Sequence, residues 1–138
     1  MNATCLIESH YESKATRIIW NPEGKFIWVE WKDHATNREY LEILAKQLAL
    51  AKQKEAELIL YDLRKMGVVS ACNQQYTNEV YFPQMAQANS KRAAIVVPED
   101  VFGEASVKLI LGKKNETLFE DKLFKDANSA RQWLTRTA

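Results

Sequence analysis

The sequence contains few of the residues that usually signal metal binding or catalysis. Only two cysteines and two histidines occur among the 138 residues. They are Cys5, His10, His34 and Cys72, and their spacing is not the CxxC or HExxH pattern of a zinc site. The sequence also lacks a Gly-rich phosphate-binding loop and a Gly-x-Ser-x-Gly nucleophile elbow. We therefore expect no metal, no cofactor and no enzymatic activity.

An excess of charge of one sign and a long apolar run are missing as well. The formal net charge is +1, so no strong field draws the protein to nucleic acid or to an anionic membrane. No apolar run is long enough to span a bilayer, and the first ten residues lack the basic-then-apolar order of a signal peptide. We therefore expect a cytoplasmic protein.

Length and composition are those of one globular domain. Hydrophobic residues make up 46% of the chain and charged residues 27%, which is typical of a folded protein with a single core. We assign residues 1–138 to this domain. Within it, residues 1–13 allow two interpretations, a short strand or a loose N-terminal arm.

The first strong structural signal is a β-hairpin. Residues 14–20 and 26–31 are rich in β-branched and aromatic residues, and Asn-Pro-Glu-Gly at 21–24 between them is a good turn sequence. Both faces of this hairpin are apolar. Core packing is the leading explanation, followed by a homodimer face and by a pocket for an apolar ligand. The aromatic residues in question are Trp20, Phe26, Trp28 and Trp31.

A helix follows the hairpin. Thr36 and Glu39 have the spacing of a capping box, and an apolar stripe at helical spacing continues to about Glu55. This pattern places Gln47 on the water-facing side. Leu58–Tyr61 is a near-continuous apolar run, which is typical of a strand covered on both faces.

The second half of the chain continues the alternation of strands and helices. Ser70 is predicted to cap a helix that kinks or restarts at Pro83. Residues 92–97 form another apolar run, and a helix from Asp100 is expected to end at Gly112. An edge strand near residues 122–125 and a last helix capped by Asp126 complete the chain.

This order predicts an α/β fold. Strands that alternate with helices need crossover connections, and these give parallel neighbours. We expect a mixed, mostly parallel sheet with an N-terminal antiparallel β-hairpin and about four flanking helices.

Several short stretches resemble STAS-like domains of the anti-sigma-factor-antagonist type, in particular their single-domain bacterial branch of unassigned role. The stretches are Tyr61-Asp62-Leu63 with the loop to Ser70, Arg92-Ala-Ala-Ile-Val-Val-Pro98, and Phe124-Lys-Asp126 with Ala130-Arg-Gln-Trp133-Leu134. The resemblance covers roughly residues 14–136 and implies a mixed sheet flanked by helices. It also implies a regulatory switch, because a partner kinase phosphorylates known members of the family at a helix N-terminus.

The sequence departs from the family at that helix N-terminus. Ser70 stands where the family has its aspartate, and Ala71 and Cys72 stand where it has serines. The phospho-acceptor is therefore not reproduced.

A binding rim is predicted at the carboxyl ends of the strands, where ligands collect in open α/β sheets. Its members are Asp62, Arg64, Ser70, Cys72 and Asn73. Ser70 is either a phosphate or ligand contact or, as we favour, an ordinary N-cap. Cys72 is either an oxidant-sensing thiol or, as we favour, a small buried residue. Surface charges that solvate a loop are an equally good interpretation of Asp62 and Arg64.

The predicted function is a non-catalytic regulatory or protein-interaction module of STAS-like type. Its expected partner is another protein or a second copy of the chain, and neither nucleic acid nor a membrane span is expected. The alternative is a carrier or sensor of a small apolar ligand, bound between the Trp-rich hairpin and the helices.

Overall fold

The computed structural model describes residues 7–136 and shows one six-stranded sheet in this range. The strands are β1 (Glu8–Glu12), β2 (Thr16–Asn21), β3 (Phe26–Trp31), β4 (Leu58–Asp62), β5 (Arg92–Val96) and β6 (Glu120–Phe124). They lie side by side in the order of the chain. The first three are antiparallel, and β3 to β6 run parallel.

Helices connect the parallel strands, and one more helix follows β6. They are α1 (Asn37–Lys54), α2 (Ala71–Tyr76), α3 (Phe82–Gln87), α4 (Val101–Lys113) and α5 (Ala127–Leu134). A π-helical turn, Thr77–Tyr81, joins α2 and α3 into one continuous helical segment, so four helical bodies flank the sheet in residues 7–136. The predicted fold class, a mixed sheet with an antiparallel hairpin and flanking helices, is confirmed.

The helices divide unequally between the two faces of the sheet. Each crossover moves to the next strand in the same direction, and right-handed crossovers then place α1 to α4 on one face, here called the helix face. Helix α5 covers part of the opposite face, here called the α5 face. Side chains alternate between the two faces: Tyr61 belongs to the core under α1 to α4, and Leu60 to the smaller core under α5.

Local sequence signals explain where the first elements begin and end. The Glu39 backbone N–H donates to Thr36 Oγ1 at 3.1 Å, and the Thr36 N–H donates to Glu39 Oε1 at 2.8 Å. This is the predicted capping box at the start of α1. Glu55 ends α1 in a left-handed conformation with φ of 49°. In the hairpin turn, the Gly24 N–H donates to Asn21 Oδ1 at 2.9 Å.

The helical segment continues through Pro83 without ending. The Phe82 N–H donates to the Thr77 carbonyl, a five-residue step that widens the helix into a π turn. Pro83 follows directly, in the first turn of α3. The predicted end and restart of the helix at Pro83 is therefore wrong, because the π turn connects α2 and α3 without a break.

Residues 1–13 allowed two interpretations, a short strand or a loose arm. Residues 8–12 form β1, which pairs with β2. Residues 1–6, with Cys5, lie outside the described part of the chain.

The prediction that Gly112 ends its helix is wrong, because α4 continues to Lys113. Glycine stops a helix by adopting a left-handed conformation, and none of the glycines in residues 7–136 has a positive φ.

The helices of residues 7–136 are not of the kind that spans a membrane. Between residues 7 and 136, none of them combines the length and the apolar character needed to cross a bilayer.

Candidate functional site

Asp62 and Arg64 form an ion pair at the end of β4. The Asp62 carboxylate is buried, and Arg64 Nε and Nη2 donate to its two oxygens at 2.9 and 2.7 Å. This bidentate geometry is the strong form of an arginine–carboxylate pair. Hydrogen bonding to Asp62 raises the pKa of Arg64 above its usual value. The pair therefore fastens the loop after β4 to the end of the strand.

Ser70, Cys72 and Asn73 lie at the start of α2. Ser70 is its N-cap and accepts the Asn73 N–H at 3.2 Å, so the capping role is what the structure shows. The Asn73 side chain is buried and donates to the Asn37 carbonyl at 3.2 Å, which ties α2 to the start of α1. The expectation that Cys72 is buried is wrong, because Cys72 is exposed.

The buried residues of α2 and of the π turn all carry polar groups. They are Asn73, Thr77 and Tyr81, whereas Tyr76 is 37% exposed. These residues have hydrogen-bonding partners on α1, which explains why polar side chains occupy the inner positions. Because α2 turns its Asn73 side towards α1, Cys72 faces solvent.

The structure divides the predicted rim between the two sheet faces. Tyr61 points to the helix face, so Asp62, the next residue along β4, points to the α5 face. Ser70 and Asn73 belong to α2 on the helix face. No hydrogen bond joins the Asp62–Arg64 pair to Ser70 or Asn73 within the described part of the chain.

The four hairpin aromatics are divided in the same way. Phe26 and Trp28 belong to the core under α5, while Trp31 and Trp20 contact the core under α1 to α4. Lys54 Nζ lies 5.5 Å from the centroid of the Trp20 ring. Phe26 and Trp31 are buried, and the other two are half-buried. Of the four, only Trp31 lines the cavity described next.

A cavity of about 60 Å³ lies between the helix face and the covering helices. Its walls come from β3, β4 and β5 and from the helical segments, and all of its lining residues except Leu111 are buried. The walls are mostly apolar and contain no acidic or basic side chain. The polar side chains that line it are Tyr40, Gln47, Tyr61, Thr77 and Tyr81.

These polar side chains form two directed hydrogen-bond chains. The Tyr81 hydroxyl donates to Gln47 Oε1, so the Tyr61 hydroxyl, 2.8 Å from that of Tyr81, is the donor to it. In the second chain, Thr77 Oγ1 donates to the Asn73 carbonyl at 2.7 Å. Tyr40 therefore donates to Thr77 Oγ1, also at 2.7 Å.

Gln47 has a hydrogen-bonding group that these chains do not use. Its side chain is 1% exposed, and its carbonyl oxygen is occupied by Tyr81. Its amide nitrogen donates to no other group in residues 7–136. A buried donor is normally satisfied, and this nitrogen is a donor at the cavity that has no hydrogen bond within the described residues.

Burial keeps the cavity uncharged. It raises the pKa of Tyr40 to about 12, and it raises the pKa values of Tyr61 and Tyr81 well above the usual range of tyrosine. All three hydroxyls therefore hold their protons at neutral pH. The cavity is suited to a neutral molecule rather than an ion.

A cluster of exposed apolar side chains lies beside α2. The three most exposed large apolar side chains in residues 7–136 are Val68, Val101 and Phe102, at 66%, 72% and 73%. The Val69 N–H donates to Ser106 Oγ at 3.0 Å, so the loop after β4 packs on the first half of α4. Val68 lies in this loop and Val101 and Phe102 begin α4, and we call the three residues the apolar patch.

The charges around the apolar patch are compensated. Lys65 Nζ lies 3.1 Å from Glu99 Oε1, and Arg64 is paired with Asp62. One turn further along α4, Lys108 Nζ lies 3.6 Å from Glu104 Oε2. The border of the patch is therefore polar without an excess of either sign.

Compared with known proteins, the chain matches no family model, no curated protein and no solved structure. The resemblance to STAS-like domains stays a prediction from the sequence.

The burial of Gln47 and its hydrogen bond to Tyr81 were not predicted from the sequence. Gln47 was predicted to face water because it is polar, yet its spacing from Tyr40, Leu44 and Ala51 is that of the buried stripe. The helical periodicity of α1 therefore already indicated that Gln47 is buried. The partner that makes its burial tolerable, Tyr81, lies 34 residues away, and no local pattern links the two.

Proposed function

We propose that this chain is a non-catalytic, cytoplasmic interaction module of STAS-like type that binds a protein partner through the apolar patch. The observation that supports the proposal is that the three most exposed large apolar side chains in residues 7–136, Val68, Val101 and Phe102, lie in the loop after β4 and at the start of α4, two segments that pack on each other. Single exposed apolar residues are ordinary, but contiguous ones bordered by polar residues are typical of interaction surfaces.

The position of the patch supports the same function. Val68 lies in the loop after β4, and Val101 begins the helix that follows β5. Both connections leave the carboxyl ends of parallel strands, which is where open α/β sheets present their binding surfaces. The patch also adjoins Ser70, the position at which the resemblance to STAS-like domains implies partner recognition.

Charge favours a protein as the occupant. Phosphate-rich surfaces are bound by clusters of lysine and arginine without acidic partners. Around the patch, Arg64, Lys65 and Lys108 each have a carboxylate partner. An apolar surface with balanced charges at its border fits the anatomy of a protein–protein interface.

The chemistry of the charged groups supports binding rather than catalysis. The buried carboxylate of Asp62 is neutralised by Arg64, and the cavity carries no charged side chain. No group of three or more His, Cys, Asp or Glu residues that could hold a metal ion occurs in residues 7–136.

Site-specific photo-crosslinking in cells that naturally produce the chain tests the proposal. The crosslinker p-benzoylphenylalanine replaces Phe102 in one strain and the exposed residue Glu42 of α1 in a matched control strain. We expect one defined protein adduct from position 102 and none from position 42. A Val68→Ser substitution in the first strain should reduce that adduct, because it removes apolar area from the patch.

Three outcomes would contradict the proposal. They are adducts of equal yield from both positions, no adduct at position 102, and adducts with lipid only. An adduct between two copies of this chain would instead identify the patch as a homodimer face.

A further inference from the structure

We propose that the cavity between the sheet and helices α1 to α4 is a binding site for a small neutral molecule, apolar except for one carbonyl oxygen. The site is separate from the apolar patch and does not depend on the function proposed above. Its two components are the apolar walls and the free amide nitrogen of Gln47.

The volume limits the ligand to a few heavy atoms. An apolar cavity of about 150 Å³ accommodates benzene, and roughly 10–15 Å³ admits one water-sized probe. At about 60 Å³, this cavity has room for on the order of two or three heavy atoms as it stands, and a branched fragment of about five heavy atoms requires the surrounding side chains to move apart. Fatty acids and sterols are far too large for it.

The hydrogen-bond directions define the polar group of the ligand. The carbonyl oxygen of Gln47 already accepts the proton of Tyr81, so the part of the amide that has no hydrogen bond in residues 7–136 is its nitrogen, which is a donor. A ligand carbonyl is an acceptor and satisfies it. Hydrocarbon fills the same space but leaves the donor unsatisfied, which is costly in an apolar setting.

The shape of the walls indicates how a ligand enters. Leu111, near the end of α4, is the one lining residue that is not buried, so the cavity approaches the surface there. The π turn at Thr77–Tyr81, whose Asn78 Nδ2 donates to the Ile110 carbonyl at 2.9 Å, contributes two polar lining residues. π turns are irregular segments that often occur at functional sites.

Methyl and amide NMR of the full chain tests the inference with butanone and its hydrocarbon isostere 2-methyl-1-butene. Val107 and Ile110 report from the cavity, and Val96 and Leu134, in the core under α5, are the matched internal controls. We expect both probes to shift the cavity methyl resonances and to leave the control methyl resonances unchanged. Only butanone should move the side-chain amide resonance of Gln47.

A variant with Gln47→Leu, Tyr61→Phe and Tyr81→Phe separates the donor from the space, because it also removes the two cavity hydroxyls that the loss of Gln47 would free. It should bind butanone about tenfold more weakly than the wild type while keeping its affinity for the alkene, since a lost hydrogen bond of ordinary strength corresponds to that factor. Should this variant fail to fold, the response of the Gln47 amide in the wild type decides the matter alone.

Xenon provides an independent test of space, because dry apolar cavities bind it. Xenon-induced shifts at Val107 and Ile110 are expected. The inference is overturned if neither organic probe nor xenon shifts the cavity methyls, as in a cavity that holds only water. It is equally overturned if butanone binds without affecting the Gln47 amide.

Discussion

Gln47 and Tyr81 are a buried polar pair whose two members depend on each other. Gln47→Leu leaves the Tyr81 hydroxyl without its acceptor, and Tyr81→Phe leaves Gln47 and Tyr61 each without a partner. An unsatisfied buried group costs about 1–3 kcal/mol, so Tyr81→Phe should lower the free energy of unfolding by at least that amount. Gln47→Leu should lower it by less, because it also removes the unpaired amide nitrogen. The double variant should lose less than the sum, with a coupling energy of about 1 kcal/mol or more.

Urea unfolding of the four proteins in this cycle measures the coupling. Gln53→Leu, at an exposed position of the same helix, is the matched control and should change stability by less than about 0.5 kcal/mol. Strict additivity of the two buried substitutions would show that the pair does not exist in solution.

Ionisation of the Tyr40 hydroxyl should make the free energy of unfolding depend on pH in the alkaline range. Its pKa rises from 10.0 in the unfolded chain to about 12 in the fold, because it is buried. A raised folded-state pKa gives stability that is fully present below pH 10 and is lost as the pH rises through 12. For Tyr40 alone the loss is roughly 1 kcal/mol near pH 11.

Urea unfolding at neutral pH and near pH 11 checks this prediction with two variants. Tyr40→Phe should reduce the difference in stability between the two pH values, whereas Tyr76→Phe, at a partly exposed position, should leave it unchanged. Equal pH dependence in the wild type and both variants would contradict the burial of the Tyr40 hydroxyl.

At the scale of elements, two glycines of α4 have opposite surroundings. A Cβ added at Gly112 would meet nothing within 4 Å, whereas one at Gly103 would lie 3.0 Å from the Met66 carbonyl oxygen. Alanine is favoured over glycine in a helix by about 0.5–1 kcal/mol. Gly112→Ala should therefore stabilise the protein by that amount, and Gly103→Ala should destabilise it because the backbone at Met66 has to move.

Thermal unfolding of the two variants measures both effects. The two substitutions are chemically identical and lie in the same helix, so each is the control for the other. Equal stabilisation by both would mean that the loop after β4 does not pack on α4 as described.

Elements defined by local chemistry were predictable from the sequence. The capping box at Thr36 and the N-caps Ser70 and Asp126 lie where expected, because each depends on residues within one helical turn. The hairpin and the buried strands were predicted for the same reason. The parallel pairing of β4 with β5 followed from the alternation of strands and helices.

Features that depend on partners distant in sequence were not predictable. Cys72 was assigned to a buried side that Asn73 occupies, since only the contact with Asn37 determines the rotation of α2. The apolar patch was missed because α4 is apolar on several sides, and the residues left uncovered depend on how the loop after β4 packs. The proposed rim was divided because adjacent residues in a strand point to opposite faces.

At the scale of the whole molecule, α4 belongs to both proposed surfaces. Val107 and Ile110 line the cavity, and Val101 and Phe102 form two thirds of the apolar patch. The helix face therefore carries the space for a small molecule, and the adjoining edge of the sheet carries the surface for a protein. The α5 face, covered by one short helix, contributes to neither.

The central claim is that Phe102 and its neighbours hold a protein partner. The most direct test uses the partner protein that crosslinking identifies, purified in its free form. Isothermal titration calorimetry measures its dissociation constant with the wild type, with Phe102→Ser and with the control Glu42→Ala. We expect Phe102→Ser to weaken binding by about tenfold or more, as for a central apolar contact, with unchanged thermal stability and no effect of Glu42→Ala. Equal affinities for all three proteins would contradict the claim.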